Sequence, residues 1–156
     1  MRWHYRDAAL VWLFPAAYLA HLAEELWGGE GFPAWLARIV GRPLPVSAFL
    51  VINAVAFALL IVGTIAAVRR EGYGWIAIAI ATVVSINGLL HLAGSVITGS
   101  YSPGLITGVV LYLPLGQLLL IRALHQVEPA RFTRAVLAGV AIHAVVVVVA
   151  AAAARM

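Results

Sequence analysis

The chain has 156 residues, of which 64% are hydrophobic and 10% are charged, and its mean hydropathy is +1.03. Soluble domains carry about 25% charged residues, so the composition excludes an ordinary soluble globule and favours an integral membrane protein. The net charge of +4 comes from ten arginines against six acids, and the arginines lie at the ends of apolar segments. That placement indicates membrane topology and not nucleic-acid binding. Without cysteine, a metal site would need His, carboxylate or amide ligands.

Five apolar segments are long enough to cross a bilayer as helices, which takes roughly 20 residues each. They cover residues 8–27, 46–68, 74–98, 103–121 and 132–154. The first segment is similar to a signal peptide, but Tyr18, His21 and two glutamates occupy the place of a small-residue cleavage site. We therefore expect it to be retained.

The first long linker, residues 28–45, is rich in Gly and Pro but also carries Trp35 and Ile39 beside Arg38 and Arg42. This pattern suits a short amphipathic helix lying on the membrane surface. No other linker is long enough to separate domains. The sequence thus predicts an all-α fold: one domain over residues 1–156, a bundle of about five transmembrane helices with a short interfacial helix between the first and the second.

The arginines predict the orientation of this bundle. With five spans, seven arginines fall on the side of the amino terminus and three on the other side. Because cytoplasmic segments carry the excess of basic residues, the amino terminus is predicted in the cytoplasm and the carboxyl terminus outside. The predicted location is the plasma or inner membrane.

Polar residues of three predicted helices reach the same depth. At 1.5 Å per residue, His21 and Asn87 lie about 20 Å from the cytoplasmic face, and Glu25 and His91 about 26 Å from it. The second predicted helix enters the membrane from outside, and its Asn53 lies about 10 Å below the outer surface. Because the arginines alone set the helix directions, this convergence favours a single site in the outer half of the bilayer.

The same polar residues also share helix faces, since positions three and four apart are neighbours on a helix. The two faces carry Tyr18, His21, Glu24 and Glu25 on the first helix, and Asn87, His91 and Ser95 on the third. Lipid offers no hydrogen-bond partner to either face. The two polar faces are therefore expected to meet inside the bundle.

These elements resemble those of a known family of small membrane proteins, named for a His-x-x-Glu-Glu motif. The motif is His21-Leu-Ala-Glu24-Glu25 in this chain, the family's second histidine is His91, and its Tyr-x-Pro-Gly element is Tyr101-Ser-Pro-Gly104. The resemblance covers about residues 8–104. The family is known as one of unknown function, so the resemblance supports a site and implies no reaction.

Two kinds of chemistry fit these residues. In the first, His21, His91 and Glu25 bind a single divalent metal, zinc or iron, because two histidines and a carboxylate with an open position are typical of catalytic centres of both metals. In the second, no metal is needed. A desolvated glutamate acts as acid, its neighbour as base, and His91 and Tyr101 place protons, which suits isomerisation or cyclisation of a lipophilic substrate. Glu24, Glu25 and Tyr101 are the predicted catalytic residues.

Each element also has a purely structural interpretation. His21 and the glutamates could form a buried ion pair, and Asn87 and His91 could be hydrogen-bonding glue between helices. Ser102 could cap a helix that begins at Pro103. His143 is isolated in its helix, and we assign it no role.

The predicted function is that of a metal-assisted integral membrane enzyme that acts on a membrane lipid or another hydrophobic or amphipathic small molecule. Tyr18, Asn53, Asn87 and Ser95 are expected around the ligands or the substrate. The alternative is a protein that binds or transports protons or metal ions, in which a homodimer could complete the path. The cytoplasmic halves of the first three helices have almost no polar residues, which favours the enzyme.

Overall fold

The structure is a computed structural model that describes residues 5–154, and all regular elements in that range are helical. The helices are α1 (Tyr5–Trp27), α2 (Phe32–Val40), α3 (Val46–Arg69), α4 (Trp75–Thr98), α5 (Leu105–Gln126) and α6 (Pro129–Ala153). The prediction of an all-α fold is confirmed, and α2 lies within the linker where a short helix was expected. Arg2 and Arg155, which entered the arginine count, lie outside the described residues.

Four of these helices, α3 to α6, are long and apolar enough to cross a membrane, whereas five spans were predicted. The difference is α1. It has 23 residues, enough in length, but it contains an arginine, an aspartate and two glutamates, so its composition is less apolar. The described part of the chain is thus consistent with a membrane bundle that has four spans by length and composition.

Helix α4 lies at the centre of the bundle. Half of its apolar stretch (50%) is buried inside the protein, compared with 11% for α3. The core formed around α4 joins residues of α1, α5 and α6, and its largest fully buried side chains include Phe14, Ile78 and Leu119. One face of the amino-terminal half of α1 is therefore packed into the bundle, and the other face, with Trp12 and Leu13, is exposed.

Glycines let the helices around α4 approach closely. A Cβ atom added to Gly88 of α4 would lie 2.8 Å from the carbonyl oxygen of Gly108 in α5. A Cβ added to Gly139 of α6 would lie 2.6 Å from the Cβ of Thr82 in α4. Small residues at such crossings are typical of membrane helices, which associate through close packing. These crossings fix the positions of α5 and α6 against α4.

Helix α5 begins with an irregular turn. Its residues Gly108–Tyr112 form a π-helical turn, followed at once by Leu113 and Pro114. Proline has no N–H to donate, so a wider turn before it relieves the normal α-helical pairing. The turn places Tyr112 in the interior of the bundle.

Candidate functional site

Three ionisable side chains meet inside the bundle, two from α1 and one from α4. The Nε2 atom of His21 lies 3.6 Å from Oε1 of Glu25, and Nε2 of His91 lies 3.3 Å from the same oxygen. The three residues are only 3%, 6% and 4% exposed, respectively. One potential ligand atom from each lies within 4.8 Å of the other two. The predicted meeting of His21, Glu25 and His91 is thus seen in the structure; we call these residues the triad.

A hydroxyl group holds the other nitrogen of each histidine. His21 Nδ1 lies 2.8 Å from Oγ1 of Thr107, and His91 Nδ1 lies 3.0 Å from Oγ of Ser102. Thr107 donates its only hydroxyl hydrogen to Glu24 Oε2, so its oxygen accepts from Nδ1–H of His21. This hydrogen-bond network assigns the proton of neutral His21 to Nδ1 and leaves a lone pair on Nε2. That Nε2 is buried without a hydrogen-bond partner.

Glu24 faces a different set of partners from its neighbour in the motif. Its two carboxylate oxygens accept hydrogen bonds from the hydroxyls of Tyr101 and Thr107 and from the backbone N–H groups of Ile106 (2.8 Å) and Thr107 (2.7 Å). A carboxylate with four donors anchors the segment that enters α5 to the end of α1. In this geometry Glu24 supports the triad through Thr107 and does not face it.

Tyr101 is bound to Glu24, in the loop between α4 and α5. Burial, together with the hydrogen bond to Glu24 and its charge, raises the pKa of Tyr101 to about 12. The phenol therefore stays protonated at neutral pH and remains a donor to the carboxylate. Sequence reasoning assigned Glu24 and Tyr101 to acid–base chemistry, and the structure pairs them with each other, Glu24 on α1 and Tyr101 in the loop before α5.

The Tyr-x-Pro-Gly segment closes over the two histidines. Ser102 and Pro103 are fully buried, and the backbone N–H of Ser102 donates to Oγ of Ser95 in α4 (2.9 Å). Ser102 does not cap a helix by its side chain, because α5 begins at Leu105 and the hydroxyl binds His91 instead. The structural interpretation of Ser102 as an N-cap is therefore wrong.

Gly104 is required by its backbone and by its neighbours. Its φ angle is +102°, in the region that side chains rarely adopt. A Cβ at this position would lie 2.7 Å from Cε1 of His91 and 2.8 Å from Cε1 of His21. The backbone of Gly104 thus forms one wall of the triad, and it leaves no space for a methyl group.

Two aromatic rings complete the walls. The Tyr112 ring lies against His21 with centroids 4.4 Å apart, and the Phe32 ring of α2 lies 5.4 Å from that of His91. Sequence reasoning did not find Phe32, Tyr112, Ser102 or Thr107 as parts of the site. The sequence gives only weak indications of these roles. Thr107 is a polar residue near the start of an apolar segment, and Phe32 lies in the linker whose amphipathic pattern predicts only a surface helix.

The other predicted residues lie in separate contacts. Tyr18 donates to Oδ1 of Asn53 (2.6 Å) and so links α1 to α3, while Asn53 also donates to the carbonyl of Phe49. Asn87 has a buried Oδ1 without a hydrogen-bond partner, and so does Nε2 of His143 in α6. Among the described residues, none of these side chains is hydrogen-bonded to the triad.

The donor set of the triad matches what a divalent metal requires. Two imidazole nitrogens and one carboxylate oxygen are common ligands of zinc and of non-haem iron. Metal-binding histidines usually donate their other N–H to an oxygen atom, which fixes the ring and its tautomer. Thr107 provides such an oxygen for His21, and Ser102 is placed to do so for His91.

Comparison with known proteins agrees with the motif. The sequence model of the family described as "Protein of unknown function with HXXEE motif" matches residues 12–119, which include the triad and the Tyr-x-Pro-Gly segment. Neither the search of curated proteins nor the search of solved structures gave a match. The match spans more than half of the 156 residues, and the chain belongs to the HXXEE-motif family.

Proposed function

We propose that this protein is an integral membrane enzyme in which His21, His91 and Glu25 bind a single divalent metal, zinc or iron. The observation that carries the proposal is the unpartnered Nε2 of His21, whose lone pair faces a carboxylate oxygen in a buried site. Two electron-rich atoms that face each other at 3.6 Å repel unless a proton or a metal ion lies between them.

The distances within the triad favour a metal over a direct ion pair. A charge-assisted N–H···O bond between imidazolium and carboxylate is about 2.7–2.9 Å long. Two ligands of one tetrahedral zinc ion, bound at about 2.0–2.2 Å, are about 3.3–3.6 Å apart. The two distances to Glu25 Oε1, 3.3 and 3.6 Å, agree with the second value.

The triad leaves coordination positions for water or substrate. A metal there would act as a Lewis acid or lower the pKa of a bound water. Glu25 would serve as a ligand through one carboxylate oxygen, and its second oxygen could accept a proton. Glu24 orients His21 through Thr107, so in this proposal its role is positioning and not proton transfer. Phe32 and Tyr112 keep bulk water from the histidines.

The substrate proposed is a hydrophobic or amphipathic small molecule. The side chains around the histidines are aromatic, and the helices that carry the triad expose apolar surface to the membrane. Helix α2, whose Phe32 covers His91, is flanked by Gly31 and Gly41, both with positive φ angles. A shift of α2 would open the triad towards the membrane surface, where an amphipathic molecule would enter.

A transporter is less well supported, because the interior on one side of the triad is apolar. Leu10, Val11 and Phe14 of α1 are buried in one apolar cluster with Ile78 and Ala81 of α4. The polar residues buried in the described part of that half, Thr64, Thr82 and Ser85, carry hydroxyl groups and not the ionisable side chains typical of a proton or metal-ion path. The triad is thus better suited to chemistry than to conduction.

We further propose that α1 is a fifth span, which places the amino terminus in the cytoplasm. The packing of α1 against the spans α3 and α5 supports this, because a helix packed along other spans shares their depth. The triad would then lie in the outer half of the bilayer.

The topology can be tested with reporter fusions. A reporter joined after Met156 should be translocated, and one inserted near Glu71 should stay in the cytoplasm, because the positive-inside rule assigns the arginine-rich loops to that side. A third reporter at the amino terminus tests α1 itself, because α1 and α3 both cross between this reporter and the one near Glu71, so both should stay in the cytoplasm. If these two reporters are found on opposite sides, α1 does not cross and the five-span proposal is wrong.

The metal proposal can be tested by cobalt substitution. Untagged protein in detergent, loaded with Co²⁺, should show the intense visible bands of a four- or five-coordinate ion at one equivalent. His21→Ala should lose these bands. His143→Ala is the matched control, since His143 is also a buried histidine with an unpartnered Nε2, and it should keep them. A spectrum like that of aqueous cobalt in the wild type would favour metal-free acid–base chemistry.

A further inference from the structure

A cavity lies at the end of the bundle away from the triad. It has a volume of about 640 Å³ and lies where α4 begins, α5 ends and α6 begins. Trp75 at its edge and His91 in the triad are on the same helix, about 24 Å apart along the axis. The cavity is therefore separate from the proposed metal site, and the inference drawn from it does not depend on that site.

One wall of this cavity is basic. Arg131 and Arg134 both line it, and they lie one turn apart on α6. Arg134 Nε donates to the carbonyl of Ala130 (3.2 Å), which holds the guanidinium near the start of the helix. Two guanidinium groups on one wall favour a phosphate, which they can bind with several charge-assisted hydrogen bonds.

Glu128 also lines the cavity, but its carboxylate is hydrogen-bonded to the backbone at the start of α6. Its carboxylate accepts from the backbone N–H groups of Ala130 (2.9 Å) and Arg131 (3.1 Å), so it caps α6. These hydrogen bonds, with a further contribution from the two arginines, lower the pKa of Glu128. The carboxylate is therefore ionised at neutral pH, and the wall has a net charge of about +1, the complement of a singly charged phosphate diester.

An apolar wall continues from the arginines. Ala135 and Ala138 lie on the same face of α6 as Arg131 and Arg134, and Ile78 of α4 also lines the cavity. Ile78 and Ala135 are buried and form the floor, whereas Ala138 is partly exposed, so an apolar slot runs along α6 from the arginines to Ala138. Trp75 stands at the edge and is 44% exposed. Tryptophan at the end of a membrane span is typical of the lipid–water interface. The cavity thus combines cationic groups at the interface with an apolar slot that runs along α6 away from them.

We propose that this cavity binds an anionic glycerophospholipid, with its phosphate on Arg131 and Arg134 and the start of one acyl chain in the slot at Ala138. Basic pockets between membrane helices are known to bind lipid headgroups. A soluble phosphate would use the arginines but not the slot, and a neutral lipid would use the slot but not the arginines. An anionic lipid satisfies both walls.

Native mass spectrometry of the full chain in detergent tests the proposal, with phosphatidylglycerol, phosphatidylcholine and glycerol phosphate as probes. The wild type should retain one phosphatidylglycerol in preference to phosphatidylcholine and should not retain glycerol phosphate. Arg131→Gln with Arg134→Gln should weaken phosphatidylglycerol binding by about thirtyfold, since each arginine near an anionic headgroup adds about a factor of five. Ala138→Phe should weaken it as well, because the ring fills the slot.

The matched control is the double variant Arg69→Gln with Arg70→Gln. It removes two charges from the end of α3, and neither residue lines the cavity. This variant should bind phosphatidylglycerol like the wild type. Equal losses in both double variants, binding unchanged in Ala138→Phe, or equal retention of glycerol phosphate would each overturn the assignment of a lipid to this cavity.

Discussion

Replacing His91 with alanine should abolish the thermal stabilisation that zinc gives to the wild-type protein. A metal that binds only the folded chain stabilises it by about 2.7 kcal/mol at a free concentration one hundred times the dissociation constant. For a chain of this size, that free energy corresponds to a rise of about 5–10 °C in the unfolding midpoint. Without the His91 imidazole, the triad loses one of two nitrogen ligands, and the rise should fall to near zero.

Glu25→Gln and His143→Ala make this experiment specific. Glu25→Gln keeps the size of the side chain and removes the charge that a metal needs, so it should also lose the response to zinc. His143→Ala removes a buried histidine outside the triad and should keep the response. The midpoint is read by a thermal-shift assay in detergent, with and without zinc. A zinc response that persists in His91→Ala would contradict the ligand assignment.

The substitution Gly104→Ala should strongly destabilise the protein and also disturb the triad. Two effects add: an alanine at φ +102° is strained, and its methyl group would lie 2.7–2.9 Å from atoms of both histidine rings. Backbone strain of this kind costs about 1–3 kcal/mol, and overpacking costs a similar amount. The rings cannot easily retreat, since hydroxyl groups hold their Nδ1 atoms. We expect a loss of about 2–5 kcal/mol in the free energy of unfolding and loss of metal binding.

Gly99→Ala is the control for Gly104→Ala. Gly99 also has a positive φ angle, +60°, but a Cβ added there would meet nothing within 4 Å. Gly99→Ala therefore measures the cost of backbone strain without a steric collision, and it should keep metal binding. Comparison of the unfolding midpoints and zinc responses of the two variants separates the backbone strain from the collision with the histidine rings. Equal behaviour of the two variants would show that Gly104 does not form a wall of the triad.

The triad could be predicted from the sequence because helical geometry carries the information. His21 and Glu25 are four residues apart and so must share a face, and counting 1.5 Å per residue from the membrane surface put His91 at their depth. Apolar surroundings made these residues conspicuous. The structure brings all three together, as that reasoning expected.

The roles of the two glutamates could not be predicted in the same way. Glu24 and Glu25 lie on opposite flanks of His21, and the sequence does not say which flank faces α5. That depends on the Tyr-x-Pro-Gly segment, which folds back so that Thr107 and Tyr101 reach Glu24. Thr107 and His21 are 86 positions apart in the chain, and no local pattern encodes such a contact.

The boundaries of α5 differ from the prediction at both ends. Polar residues extend the helix at its end, and a glycine shifts its first residue. The fourth apolar segment ends at Ile121, but α5 continues to Gln126, since a helix does not stop at the membrane surface. It begins at Leu105 and not at Pro103, because Gly104 has a left-handed conformation and the preceding residues close over the histidines. Apolar length alone cannot detect either effect.

Metal analysis of the double variant His21→Ala with His91→Ala is the most direct test of the central claim. The wild type and the double variant, purified without a metal-affinity tag and dialysed against zinc, are compared by elemental analysis. The proposed site predicts about one zinc per chain in the wild type and a background level in the double variant. One zinc per chain in both proteins would show that the metal binds elsewhere and that the triad is not its site.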